Sequence, residues 1–149
     1  MSKVREQIDV DVPVSAAYNQ WTRFEDFPKF MDGVEEISRI DDRHNHWKTK
    51  IAGVSREFDT EIVDQVPDDH VAWRTIGGDV KQTGMVRFEP IDATHTRVLM
   101  EMDFQPGGLA ETSTDMVGVL DRQVKGDLNR FKHFIEERGT ATGGYRENL

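Results

Sequence analysis

The chain has 149 residues, which suits one domain with a single hydrophobic core, and it contains no cysteine. This composition excludes disulfides, thiolate nucleophiles and cysteine-ligated metal sites. Charged residues make up 32% of the chain and the net charge is −9, so we expect no nucleic-acid partner, because phosphate would be repelled.

No apolar stretch approaches the length of a membrane span, and no leader or lipidation pattern is present. We therefore expect a cytoplasmic protein with no integral membrane segment. The sequence carries no indication of the oligomeric state.

The first segment has the pattern of a strand with one buried face. From Lys3 to Val12 the even positions are apolar, with Glu6 as the exception. Pro13 closes this strand, and two short helices are predicted, one directly after Pro13 and one over Phe24 to Met31. The region carries six large apolar side chains, more than two exposed helices need: Tyr18, Trp21, Phe24, Phe27, Phe30 and Met31.

Six further strands are predicted, separated by turns rich in aspartate, glycine and proline. They cover Val34 to Asp41, His46 to Gly53, Arg56 to Val66, His70 to Ile76, Gly84 to Ile91 and Arg97 to Gln105. With the first strand, the chain would form an antiparallel sheet of about seven strands. Residues 77–79 read as a hairpin turn and not as a phosphate-binding loop.

Alternation along these strands predicts an apolar inner face and a charged outer face. Threonine occurs once on the inner side of each of three neighbouring strands, as Thr49, Thr60 and Thr75, where a hydroxyl could contact a ligand. On the outer side, adjacent strands carry opposite charges, for example Lys48 on one strand and Glu57 on the next.

The longest helical pattern runs from Leu109 to Arg138, and Gly139 provides its stop signal. Its apolar stripe consists of Met116, Leu120, Val124, Leu128, Phe131 and Ile135. A single helix cannot bury such a stripe, so we expect the sheet to cover it. The last ten residues have no periodicity, which predicts a single domain over residues 1–139 and a flexible tail over residues 140–149.

A strand, two short helices, six strands and a long C-terminal helix resemble the START/Bet v1-like (SRPBCC) superfamily, specifically its bacterial polyketide cyclase/dehydrase-type single-domain proteins. Matching positions include Tyr18, Trp21, Phe24, Phe27, Pro28, Phe30, Met31, Val34, Trp47, Gly53, Trp73, Gly84, Phe88, Gly126, Leu128, Phe131 and Gly139. The resemblance implies an α+β helix-grip fold, in which a curved antiparallel sheet of about seven strands surrounds the C-terminal helix. It also implies an apolar cavity between sheet and helix, and no cofactor.

We expect this cavity to bind a hydrophobic or aromatic small molecule such as a lipid, a polyketide or a quinone. The expected lining residues lie on the inner face, the short helices and the long helix: Trp21, Phe27, Phe30, Trp47, Thr49, Phe58, Thr60, Trp73, Thr75, Phe88, Met100, Met102, Phe104, Leu120 and Val124. Methionine suits a pocket that accepts several ligands, although it also fills gaps in a closed core.

Two alternatives remain open at the sequence level. One is a cofactor-independent cyclase or dehydratase in the same cavity, with Arg74, Tyr18 or Thr75 assisting by hydrogen bonding. Arg74 would have to turn inward at a bulge, whereas the alternation favours an outward side chain. The other is an interaction module that presents its acidic surface to a partner.

No metal site is predicted. His44 and His46 could approach one ion from a hairpin, but no third ligand accompanies them, so exposed histidines are the favoured interpretation. No nucleotide-binding, zinc-protease or serine-hydrolase motif occurs in the sequence.

Overall fold

The computed structural model describes residues 2–51, 53–78, 81–105 and 114–141. The elements in chain order are β1 (Ser2–Val10), α1 (Val14–Trp21), a 3₁₀ helix (Phe24–Lys29), β2 (Val34–Arg39), β3 (His44–Ile51), β4 (Val54–Val66), β5 (His70–Gly78), β6 (Lys81–Asp92), β7 (His95–Gln105) and α2 (Thr114–Arg138). All the predicted elements are present, with strand boundaries displaced by up to three residues.

The seven strands form one curved antiparallel sheet in the order β1-β7-β6-β5-β4-β3-β2. Because β1 and β2 occupy opposite edges, α1 and the 3₁₀ helix connect them across the sheet, and α2 packs along β1. This is the predicted helix-grip α+β fold. We call the side of the sheet that faces α1 and α2 its inner face.

Alternation accounts for the burial of β1. Val4 and Val10 are buried on the inner face while Arg5, Gln7 and Asp9 are exposed, as period two requires. Glu6 shares the inner face and is half-buried.

The second short helix differs from a regular α-helix. It is a 3₁₀ helix that contains Pro28 and ends at Lys29, two residues before the predicted end. Proline lacks an N–H donor and restricts the residue before it, so this segment does not continue as an α-helix.

Two bulges in the β4–β5 pairing shift the face pattern. Ile62 pairs with Trp73 and Asp64 pairs with Ala72, which leaves Val63 as the extra residue. Val63 is therefore 46% exposed, and Gln65 takes the buried inner position.

The apolar stripe of α2 is buried as predicted at Val124, Leu128, Phe131 and Ile135. Gly139 has a φ of 72° and donates its N–H to the carbonyl oxygen of Ile135 at 2.8 Å, which confirms the predicted helix end. The predicted start between residues 109 and 113, the side chain of Met116 and the predicted tail from residue 142 onward lie outside the described residues.

Main-chain groups near β1 fix the C-terminal half of α2. Lys132 Nζ donates to the Asp9 carbonyl oxygen at 2.9 Å, and the Asp11 N–H donates to Glu136 Oε2 at 2.8 Å. In the part of the chain that the structure describes, neither α-helix is long and apolar enough to span a membrane.

Candidate functional site

One end of the inner face carries a buried aromatic cluster, which we define as Tyr18, Trp21, Phe27, Phe30, Phe88 and Phe131. All of these side chains are at most 2% exposed. The Trp21 ring lies edge-on to Phe131 at 5.1 Å and to Phe27 at 5.5 Å between centroids. Edge-to-face contacts of this kind are favourable beyond the area they bury, so these rings stabilise one another at this end of the sheet.

The inner face is less completely covered farther along the strands. Five residues that point inward are only half-buried, and we call them the half-covered patch: Trp47, Trp73, Thr75, Met102 and Leu120. Trp73 and Met102 both pair with Gly84 of β6, so they lie in one row across three strands. Leu120 contributes from the N-terminal half of α2. Solvent therefore reaches apolar side chains on the inner face of the sheet and on α2.

Gly84 allows the Trp73 indole to lie on the sheet. A Cβ atom at position 84 would lie 2.4, 2.6 and 2.9 Å from Cζ2, Cε2 and Cη2 of Trp73. Non-bonded contacts this short essentially never occur at a Cβ atom, so a side chain at this position would force the ring or the strand to shift. The absence of a side chain at position 84 therefore leaves the space that the indole occupies.

Polar side chains form a row beside this position. Thr60 pairs with Asn45 on one side and Thr75 on the other. The Trp47 Nε1–H donates to Thr60 Oγ1 at 2.8 Å, and the Gln82 N–H donates to Thr75 Oγ1 at 3.0 Å. Asn45 and Thr60 are buried, whereas Gln82 and the patch residue Thr75 are half-buried.

The three candidate catalytic residues lie in different environments. Arg74 is on the outer face, 57% exposed, and its Nε–H donates to Glu61 Oε1 at 2.9 Å, so the outward interpretation is confirmed. The extra residue of β5 is Ile76 and not Arg74, which is why no bulge turns the arginine inward. Tyr18 is fully buried against Phe88. Arg74 and Tyr18 are thus kept away from the half-covered patch, and Thr75 belongs to it.

Glu6 is an inner-face residue that the sequence analysis did not count as a site candidate. Its side chain is 20% exposed, and its Oε2 lies 3.8 Å from Lys125 Nζ of α2. A hydrogen bond with the Asp121 carboxyl, burial and the charge of Asp121 raise the Glu6 pKa, and Lys125 opposes them. The break that Glu6 makes in the alternation of β1 was the available signal.

The histidines of the β3 hairpin lie among carboxylates. His44 Nδ1 is 2.7 Å from Asp41 Oδ1, and His46 contacts Asp59 Oδ1 at 2.6 Å and Glu57 Oε1 at 2.9 Å. Among the described ranges, no group of three histidine, aspartate or glutamate side chains is placed to hold a metal ion.

Comparison with known proteins identifies the family of this chain. Residues 10–133 match the family model described as polyketide cyclase / dehydrase and lipid transport. The chain belongs to the polyketide cyclase/dehydrase and lipid transport family. An uncharacterized 17.2 kDa protein encoded in the melC2-rnhH intergenic region of Streptomyces lincolnensis is 55% identical over 146 residues, which cover 98% of this chain and 97% of that protein.

Solved structures resemble this member of the polyketide cyclase/dehydrase family in fold. The ZhuI aromatase/cyclase from Streptomyces sp. R1128 superimposes with a TM-score of 0.78 at 18% identity, covering 96% of this chain and 98% of that one. A START superfamily protein from Mycobacterium smegmatis superimposes with a TM-score of 0.72 at 16% identity, covering 93% of this chain and 97% of that one.

The fold brings most of the expected lining residues of this family member to the inner face or its covering helices, at two levels of burial. Buried are Trp21, Phe27, Phe30, Thr49, Phe58, Thr60, Phe88, Met100 and Val124. Half-buried are Trp47, Trp73, Thr75, Met102 and Leu120. The side chain of Phe104 lies outside the described residues. Nine of the expected positions are thus buried, and five remain partly accessible to solvent.

Proposed function

We propose that this protein binds a hydrophobic or aromatic small molecule between the inner face of the sheet and α2. The half-covered patch carries this proposal. Two indoles, a methionine and a leucine keep part of their apolar surface in contact with water there, at about 25 cal/mol for each Å². An apolar ligand that covers this surface would gain that free energy, and Thr75 and Gln82 could orient it.

Membership of a family whose description includes lipid transport supports an apolar ligand. The fold shared with an aromatase/cyclase supports an aromatic or polyketide ligand equally well. The family description and the shared fold both favour a hydrophobic ligand.

Native mass spectrometry of freshly purified protein, followed by solvent extraction, tests the proposal. We expect a bound apolar species near one equivalent, or uptake of an added fluorescent apolar probe. Thr75→Phe should reduce occupancy because the new ring would point into the half-covered patch. Arg74→Phe is the matched control, since the adjacent side chain lies on the outer face. A purified protein that carries no bound apolar species and also does not bind the fluorescent probe would contradict the proposal.

A second candidate is a cyclase or dehydratase that uses the same inner face, and Glu6 is the observation that favours it. A carboxyl group with a raised pKa is a suitable proton donor for the loss of water from a bound ligand. We expect Glu6→Gln to keep ligand binding but to abolish conversion of the bound compound to a product lighter by one water. Mass spectrometry of the bound compound measures this conversion. Glu101→Gln, at an exposed carboxylate paired with Lys3, is the control. Unchanged conversion in Glu6→Gln would remove this residue from the reaction.

A further inference from the structure

Trp73 differs from the other aromatic side chains that the structure describes. Every other one has a ring partner, including Trp47, which stacks on Phe58 at 5.7 Å with an interplanar angle of 15°. Within the described ranges, Trp73 has no such partner and is half-buried. An aromatic ring can therefore be added against Trp73 without displacing one of those rings.

The indole lies with its face toward the sheet. The three ring atoms nearest to the Cβ position of Gly84 are consecutive in the ring, and their distances of 2.4, 2.6 and 2.9 Å are nearly equal. An edge-on ring would place the two flanking atoms well behind the nearest one. One face of Trp73 therefore rests on β6, and the opposite face points away from the sheet.

Polar and polarizable groups lie on the same side of the sheet as Trp73. Thr75 lies two residues beyond Trp73 on β5, and Gln82 lies two residues before Gly84 on β6, so both share its side of the sheet. Met102 pairs with Gly84 from the other strand, and its thioether is suited to the edge of an aromatic ring. A planar ring over the indole would thus have hydrogen-bonding groups at one edge.

We propose that Trp73, resting on Gly84, is a stacking platform that selects a planar conjugated ring with a hydroxyl or oxo substituent over a saturated acyl chain. The inference rests on the proposed binding function and narrows its ligand class. An aromatic ring gains from stacking beyond the area that it buries, whereas an acyl chain gains from area alone. Gln82 and Thr75 contact the substituent.

Affinities for two probes test the platform, namely 1,8-dihydroxyanthraquinone and palmitate, measured by isothermal titration calorimetry. We expect Trp73→Leu to weaken anthraquinone binding about tenfold and palmitate binding less than about threefold. Trp73→Phe keeps a ring and should retain most of the anthraquinone affinity. Met85→Leu, on the outer side of β6, is the control and should change neither affinity. Circular dichroism establishes that each variant is folded.

A spectroscopic readout separates stacking from a general loss of apolar surface. In protein labelled with 5-fluorotryptophan, the ¹⁹F resonance of Trp73 should move upfield when anthraquinone binds and remain nearly unchanged with palmitate. Equal loss of both affinities in Trp73→Leu, or wild-type binding of palmitate without anthraquinone, would overturn the platform and leave the binding function intact. Binding of neither probe by the wild-type protein would overturn both.

Discussion

At Gly84 the lack of a side chain decides where Trp73 lies, and this gives a prediction for a single methyl group. The Cβ of Gly84→Ala would be placed within 2.4 Å of the indole, so the ring or the strand has to move. We expect the free energy of unfolding, measured by urea denaturation, to fall by about 1–3 kcal/mol, as for other overpacked sites. In a Trp73→Leu background, Gly84→Ala should lower the free energy of unfolding far less, because the indole that the new methyl group would meet is absent. Equal costs in the two backgrounds would show that the strain does not come from the indole.

Residue positions could be predicted where alternation is unbroken and could not where the register shifts. Thr60, Phe88 and Met100 lie on the inner face as period two requires. Gln65 is buried because Val63 forms a bulge, and no local pattern marks a one-residue insertion of this kind. The contact of Trp73 with Gly84 depends on strands that pair across the sheet, so the residue types alone did not indicate it.

At the scale of elements, α2 is joined to the segment that follows the 3₁₀ helix through Asp127. Its Oδ1 accepts hydrogen bonds from Arg130 Nη2 at 2.5 Å, Gln123 Nε2 at 3.1 Å and the Asp32 N–H at 3.2 Å. Arg130 Nε–H in turn donates to the Phe30 carbonyl oxygen at 3.1 Å. One carboxylate therefore connects the long helix to the polypeptide that closes the aromatic cluster.

We expect Asp127→Ala to lower the free energy of unfolding by about 2 kcal/mol, because partly buried donors lose a charged acceptor. Burial raises the Asp127 pKa while its bonds to Arg130 and Gln123 oppose the shift, so the charge itself is partly disfavoured. Asp127→Asn keeps an oxygen acceptor and should cost less than alanine. Glu137→Ala, on the exposed side of the same helix, is the control. Chemical denaturation measures the free energy of unfolding of each variant. An Asp127→Ala variant as stable as wild type would contradict the proposed role of Asp127 in joining α2 to the segment after the 3₁₀ helix.

Element types were predictable because periods of 2 and 3.6 are properties of the local sequence. The six large apolar residues of the first helical region indicated a covered surface, and they form much of the aromatic cluster. The 3₁₀ geometry around Pro28 was not predicted, since a short helix leaves too few residues for its period to be read. The strand that α2 packs along was not predicted either. The apolar stripe of α2 indicates that the helix needs a partner surface, but it does not indicate which strand provides it.

At the scale of the whole molecule, histidines held between carboxylates make stability depend on pH. His44, His46, His70 and His95 each have a pKa raised above 6.5. For His46 the causes are hydrogen bonds with Glu57 and Asp59, and for His70 burial opposes the bonds to Asp64 and Asp69. The folded state therefore binds protons more tightly than the unfolded chain.

Because the folded pKa values are the higher ones, this stabilisation is complete below pH 6.5 and is lost as the pH rises through them. We expect the urea midpoint at pH 9 to lie below that at pH 6. A His46→Gln and His70→Gln double variant should show a smaller difference between the two pH values. A midpoint that is constant or higher at pH 9 would contradict the carboxylate environments of these side chains.

The whole-molecule architecture was predicted from the order of the elements, and the strand order and the superimposed structures confirm it. The difference between the two ends of the inner face, one fully buried and one half-covered, could not be predicted from the sequence. Both ends are rich in tryptophan and other apolar residues, and only the tertiary packing of α1, the 3₁₀ helix and α2 distinguishes them.

Chemical-shift mapping by NMR, with an apolar ligand added to the labelled protein, tests most directly whether the inner face is the binding site. We expect perturbations at Trp73, Thr75, Met102 and Leu120. Val63, Arg74 and Met85 on the outer face should be unaffected, although Val63 and Met85 are exposed apolar side chains. Perturbations confined to the outer face would contradict binding between the sheet and α2.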